Sequence, residues 1–213
     1  MYWILDFDDT LALGPNTWAL ETVMPDIIKK YQLPFDRQLF DEVMLKGQEK
    51  ANLDDNEEAV VNYVFEALGW DLALKDELIH RTYNEYQPQL FEDSQPFLEA
   101  RKQADDTVII VSNNNYAAHI IEQLGIAPYF SAILTPKQTA KRRKPYHDMW
   151  EDVLAIIGKN PVHMVGDDPW SDGLFGTGYQ QATTWILDRL QRYQTLHDTT
   201  PYRFVESLGD IKP

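Results

Sequence analysis

Tyr2-Trp3-Ile4-Leu5-Asp6-Phe7-Asp8-Asp9-Thr10-Leu11 decides how the rest of this chain is read. Four apolar residues make a short buried strand, and closely spaced carboxylates follow it directly. Folding alone avoids charge at the end of a buried strand, so such a cluster calls for a cation, a basic partner or a chemical task. Three further clusters share this grammar. Ser112-Asn113-Asn114-Asn115 follows Val108–Val111, and Gly166-Asp167-Asp168-Pro169-Trp170-Ser171-Asp172 follows Val162–Val165. Between them, Lys141-Arg142-Arg143-Lys144-Pro145 precedes a helical pattern.

The apolar runs Trp3–Leu5, Val108–Val111, Ala132–Leu134, Val162–Val165 and Thr183–Leu187 lack alternation, as strands covered on both faces do. Tyr202-Arg203-Phe204-Val205 reads as an edge strand. Pro96–Ala104, Ala117–Leu124 and Met149–Ile157 carry apolar residues at helical spacing, with Gly125 and Gly158 where C-terminal caps belong. Strand–helix alternation predicts an α/β, doubly wound parallel sheet of Rossmann-like type. Residues 15–91 differ, with no convincing strand. Ala59, Val60, Tyr63, Val64, Ala67 and Leu68 form a helical stripe ended by Gly69. Trp18–Tyr31, kinked at Pro25, Asp36–Leu45 and Asp76–Tyr86 also read as helices. A βα connection of that length implies a small α-helical domain at 15–91, inserted between core segments 1–14 and 92–213. Gly14-Pro15 and Gln87-Pro88 are the expected hinges.

The 213 residues are 44% hydrophobic, enough for a sizeable packed core. With 34 acidic residues against 19 basic, the formal charge is −15. That surface repels phosphate backbones and anionic lipids, so neither nucleic acid nor a membrane is the expected partner. A phosphorylated substrate would need local compensation by a cation. The absence of cysteine excludes disulfides, thiolate metal sites and cysteine nucleophiles. The five histidines form no ligand pair, and isolated His147 and His163 read as structural or solvated. A first strand at Tyr2 leaves no room for a leader, and no apolar stretch is of membrane-spanning length. The expectation is a cytoplasmic protein, monomer or homodimer.

Each charged cluster alone has an ordinary reading. Carboxylates after a strand cap helices or build turns, Ser-Asn-Asn-Asn is a natural helix entry, and a basic run is usually a solvated loop. Their conjunction carries the inference. In an open parallel sheet ligands bind beyond the carboxyl ends of the strands. There the chain sets carboxylates at two strand ends, a hydroxyl at a third, and a lysine between. Acidic side chains converge only around a cation, and oxygen-only ligands select Mg²⁺.

In order and spacing the four clusters resemble the four motifs of the haloacid dehalogenase (HAD) superfamily. The resemblance covers nearly the whole chain, including the place where that family inserts a helical (C1-type) cap. Asp6, Asp8 and Thr10 match its first motif, Asp-x-Asp-x-Thr; Ser112 matches the second-motif hydroxyl. Lys144, followed by proline and a helix, matches the third motif better than Lys141 or Lys137. Asp167 and Asp172 match the paired acids of the fourth.

The resemblance implies a Mg²⁺-dependent phosphatase acting on a small phosphorylated metabolite through an aspartyl-phosphate. Asp6 would be the nucleophile and Asp8 the acid and base. Mg²⁺ would be held by Asp6, the Asp8 carbonyl and Asp167. Thr10, Ser112, Asn113 and Lys144 would bind the phosphoryl group, with Ser112 and Lys144 counted in the catalytic set. Asp168 and Asp172 would act from behind, on metal-bound water or on Lys144. Family dehalogenases lack the second aspartate because a halide needs no proton donor, so Asp8 favours phosphoryl transfer. Receiver domains of response regulators carry their aspartate on a later strand and fit less well. A phosphomutase, or a non-catalytic binding protein of the same fold, is the alternative. Lys46-Gly47, between predicted helices, resembles the substrate-recognition loop of β-phosphoglucomutase-type caps. The hydroxyl and arginine usual there are replaced by Gln48-Glu49-Lys50.

Overall fold

The computed structural model of the chain describes residues 1–54 and 58–212. Its sheet contains six parallel strands: β1 (Tyr2–Leu5), β2 (Thr107–Val111), β3 (Ala132–Leu134), β4 (Val162–Gly166), β5 (Ala182–Leu187) and β6 (Arg203–Val205). Their spatial order is β3-β2-β1-β4-β5-β6. The chain therefore builds outward from β1 in one direction and from β4 in the other, and the order reverses between those two strands. That reversal marks the carboxyl ends of β1 and β4 as the place where an α/β sheet of this order binds its ligand.

Helices cover both faces. Ile4, Ile109, Val111 and Met164 pack against Met149 and the Trp150–Ile157 helix, with Phe175 closing the cluster. On the other face Trp3 meets Phe97 of the Ser94–Gln103 helix nearly perpendicularly, at 5.3 Å between ring centres. Trp3 also stacks on His163 at 4.5 Å, and the Trp185 indole donates to the His163 Nδ1 at 3.2 Å. His163 is thus part of the packing. The Tyr202–Val205 run contributes β6, at the sheet edge. Among the described residues, no helix is long and apolar enough to cross a membrane.

Two compact units divide the chain: residues 1–13 with 88–213, and residues 14–87. Residues 88–91, assigned from sequence to the insertion, lie with the sheet unit. Leu13 donates to the Gln89 carbonyl, Phe91 to that of Leu11, and Ala12 bridges antiparallel to Leu90. The helical unit has its own core of Val23, Met24, Ile27, Phe40, Val43, Val64, Phe65, Trp70 and Leu78, among others.

Two helices there differ from the sequence reading. Before Pro25 the chain makes a wide π turn over Ala19–Val23, between helices Pro15–Trp18 and Met24–Tyr31. The Met24 N–H donates to Ala19, five residues back. Pro25 has no N–H and crowds the carbonyl four residues earlier, and the wide turn absorbs both problems. The helix expected to stop at Leu45 runs on, over Arg37–Asp54. Lys46-Gly47 is therefore helical and not a recognition loop. A Cβ at Gly47 would stand 3.3 Å from Tyr63 Cδ1 and 3.4 Å from the Val60 carbonyl. This glycine lets the Glu58–Ala67 helix approach closely, a demand that local sequence does not show.

Candidate active site

Register sets the site before any side chain does. Leu5 pairs with Ile110 on one side and Val165 on the other, so the chains that follow emerge side by side. Asp6 still donates its N–H to Val165 at 2.8 Å, and Ser112 donates to Leu134 at 3.0 Å. Both side chains therefore leave backbone fixed by the sheet. Past Asp6 the chain closes a tight turn. Leu11 and Ala12 both donate to the Phe7 carbonyl, at 2.9 and 3.2 Å, and Phe7 and Leu11 are fully buried beneath it.

Lys144 lies at the centre, 1% exposed. Its Nζ stands 2.8 Å from Asp6 Oδ1 and 2.5 Å from Asp172 Oδ1. Burial works against the ammonium, but Asp172 and Asp6 outweigh it and hold the lysine above its ordinary value. The lysine's backbone is gripped by Asn113. Asn113 Oδ1 accepts from the Lys144 N–H at 2.8 Å, and Nδ2 donates to the Lys144 carbonyl at 3.0 Å. Nδ2 also reaches Ser171 Oγ at 3.3 Å. The Asn113 carboxamide is thus committed to the lysine loop, because both its ends find complementary backbone partners there.

Asp172 is buried against Gly166, where any Cβ would collide with the Asp172 carboxyl. Its second oxygen accepts from the Asp168 N–H at 3.1 Å. Asp168 caps the turn that carries Asp172, accepting from Trp170 and Ser171 N–H at 2.7 and 3.2 Å. Trp170 packs edge-on against Tyr193 at 5.5 Å. Ser112 Oγ accepts from the Asn114 N–H at 3.0 Å, and the Asn114 side chain acts on Asp8 to favour its charged form. Asn114 and Arg189, whose guanidinium donates to the Thr10 carbonyl at 3.0 Å, carry no site role in the sequence reading. Asp188-Arg189 follows the apolar run of β5, a strand-then-charge signal that could have drawn attention to the arginine, but only the fold shows what it reaches.

Burial pushes the Asp6 carboxyl up to about 7, against the pull of Lys144. It pushes Asp8 up to about 8, reinforced by the charges of Asp6 and Asp9 and opposed by Asn114. Asp167 is raised well above the carboxylate range, by burial and then by Asp9, Asp172, Asp6 and Asp168. All four of these neighbours are acidic. Carboxylate oxygens of Asp6, Asp167 and Asp172 lie within 4.8 Å of one another. Asp8 Oδ1 and Thr10 Oγ1 are sealed from solvent, with no hydrogen-bond partner among the described residues. An all-oxygen set with excess negative charge fits a hard divalent cation such as Mg²⁺. Asp172 has given its oxygens to Lys144 and the Asp168 amide, which leaves Asp6 and Asp167 as the carboxylates of this group that would hold the cation.

Comparison with known proteins agrees with this architecture. The chain superposes on a HAD phosphatase from Thermococcus onnurineus with a TM-score of 0.63 and 18% identity, covering 98% of this chain and 94% of the other. The magnesium-bound HAD-hydrolase YfnB from Bacillus subtilis gives 0.70 at 18% identity, over 98% and 95%. The L-2-haloacid dehalogenase from Xanthobacter autotrophicus gives 0.62 at 16%, again over 98% and 95%. At these identities the likeness shows the fold. No curated protein matches the sequence. The family model for haloacid dehalogenase-like hydrolases, described as a hydrolase family, matches residues 4–177. That span takes in the ends of β1, β2 and β4 and the lysine loop between them, and the chain belongs to the haloacid dehalogenase-like hydrolases.

Proposed function

We propose that the chain is a Mg²⁺-dependent phosphatase that hydrolyses a small phosphomonoester through an aspartyl-phosphate on Asp6. The observation that carries this reading is the second carboxyl, Asp8, which is buried beside Asp6 and held up to about 8 by burial and by the charges of Asp6 and Asp9. Release of an alkoxide needs a proton donor, whereas release of a halide does not, and Asp8 is the group that would supply it.

An Asp6 carboxylate oxygen attacks phosphorus as the ester P–O bond breaks, and Asp8 gives its proton to the departing oxygen. In the second step Asp8 takes a proton from water, the water oxygen bonds to phosphorus, and the Asp6 acyl-phosphate P–O bond breaks. Inorganic phosphate leaves, Asp6 returns as a carboxylate and Asp8 is again protonated. Lys144 holds the Asp6 carboxylate in place and neutralises charge on the transferring group, while Asp172 fixes the ammonium from behind. Ser112 and Thr10 are the hydroxyls offered to the phosphoryl oxygens. Asp6, the Asp8 carbonyl and Asp167 would hold Mg²⁺, which when bound offsets the repulsion between carboxylate and phosphoryl oxygens. The helical unit at 14–87 is the part read as setting substrate choice.

The direct test is Asp6→Asn, assayed with an aryl phosphate in Mg²⁺ and in chelator. Turnover should vanish while the melting temperature is retained, and acid-quenched wild type should carry covalent phosphate. Unchanged turnover in the variant removes Asp6 as nucleophile. A wild type inert across sugar phosphates, nucleotides and short phospho-acids removes the phosphatase reading.

A further inference from the structure

The turn that carries Asp6 and Asp8 is closed by its own backbone bonds, Asp9 N–H to the Ala12 carbonyl at 2.6 Å among them, and is also held from outside. Asp9 sits in it at φ 56°, a left-handed conformation that aspartate adopts at tight turns more readily than most side chains. Two donors from the same unit hold the carbonyl of Leu11: the Phe91 N–H at 3.0 Å and Ser94 Oγ at 2.6 Å. The carbonyl before it belongs to Thr10, which is fully buried, and Arg189 Nη2 donates to it at 3.0 Å. Arg189 comes from a different part of the fold, the first turn after β5. That turn is itself locked, because Asp188 accepts from the N–H groups of Arg192 and Tyr193 at 2.6 and 2.9 Å.

The guanidinium is held on several sides. Asp93 takes both terminal nitrogens, Nη1 at 2.8 Å and Nη2 at 3.0 Å. The group lies 4.3 Å from the centre of the Phe91 ring. Asp93 Oδ2 also accepts from the Leu208 N–H at 2.8 Å, which anchors the carboxylate to the C-terminal segment. A rigid fork that bridges a carboxylate to one backbone carbonyl is a task lysine cannot reproduce.

We propose that Arg189 is a positioning residue, which fixes the turn at residues 7–12 through the Thr10 carbonyl and so sets where the Asp6 and Asp8 carboxyls stand. Asp93 is the buttress that aims it. The activity readout rests on the phosphatase reading; the structural readout does not.

The test uses full-length Arg189→Lys, which keeps the charge, and Arg189→Met, which keeps the stem over Phe91. Each is assayed well below its own melting temperature. Both variants should lose kcat by about 10- to 100-fold with KM nearly unchanged, as expected when reacting groups are displaced by a fraction of an ångström to an ångström. Asp93→Asn should lose a similar factor, and the double variant should be no worse than either single one. Amide exchange at Leu11 and Ala12 should quicken while that of β4 stays slow. Wild-type kcat in Arg189→Lys, or unchanged exchange at Leu11 and Ala12 in both variants, overturns the proposal. If wild type shows no Mg²⁺-dependent turnover, the phosphatase reading fails, and exchange at Leu11 and Ala12 still decides the role of Arg189.

Discussion

Replacing Lys144 with methionine removes the cation from a site where Asp6, Asp167 and Asp172 crowd within 4.8 Å. The lysine and Asp172 side chains are each 1% exposed, so water cannot take over. Removing one partner of such a buried pair costs about 3–5 kcal/mol. For a chain of this length the loss corresponds to a fall in melting temperature of roughly 6–20 °C. The stranded charge is relieved by protonating one of the carboxyls, which is easier in acid, so the loss should shrink as the pH falls from 7 to 5. Mg²⁺ should recover part of the loss, because saturation at a hundredfold over its dissociation constant adds about 2.7 kcal/mol. Thermal scans of wild type and Lys144→Met at pH 5 and 7, in chelator and in Mg²⁺, measure all of this. A loss below about 1 kcal/mol at pH 7, or one that grows as the pH falls, would refute the claim that Lys144 is held as a buried counter-charge.

Asp8→Asn should reduce turnover of alkyl phosphates by about 10²- to 10⁴-fold, the usual worth of a positioned acid. Aryl phosphates with good leaving groups should suffer less, and kcat compared across a leaving-group series checks this. Without metal, stability should fall as the pH rises from about 4 through 7–8. Asp6 and Asp8, pushed up to about 7 and about 8, bind protons more tightly folded than unfolded, so their contribution is complete in acid and lost as they ionise. Mg²⁺ should flatten that slope in denaturation curves collected across the range. Gly166→Ala should cost about 1–3 kcal/mol through overpacking and lower turnover by displacing Asp172 from Lys144, read by thermal melting and kcat together.

The sequence by itself determined the fold class and which polar groups stand at the strand ends. Uninterrupted apolar runs between helical patterns carry a parallel sheet, because strands buried on both faces cannot alternate. Asp6, Ser112, Lys144 and Asp167 were legible because strand ends and loop entries are local features, and charge at a strand end stands out against an apolar run. The tertiary structure decided what depends on a partner distant in the chain. Gly47 sits inside a helix because Tyr63 and Val60 approach it, which no window around residue 47 reveals. Asn113 is committed to Lys144, 31 residues away, although its type equally suits a phosphate contact. Arg189 reaches Thr10 across 179 residues of chain, only because β5 ends beside the turn that β1 begins. Local sequence specifies which groups are present at the strand ends. Register and packing, which are properties of paired elements, decide which group each one faces.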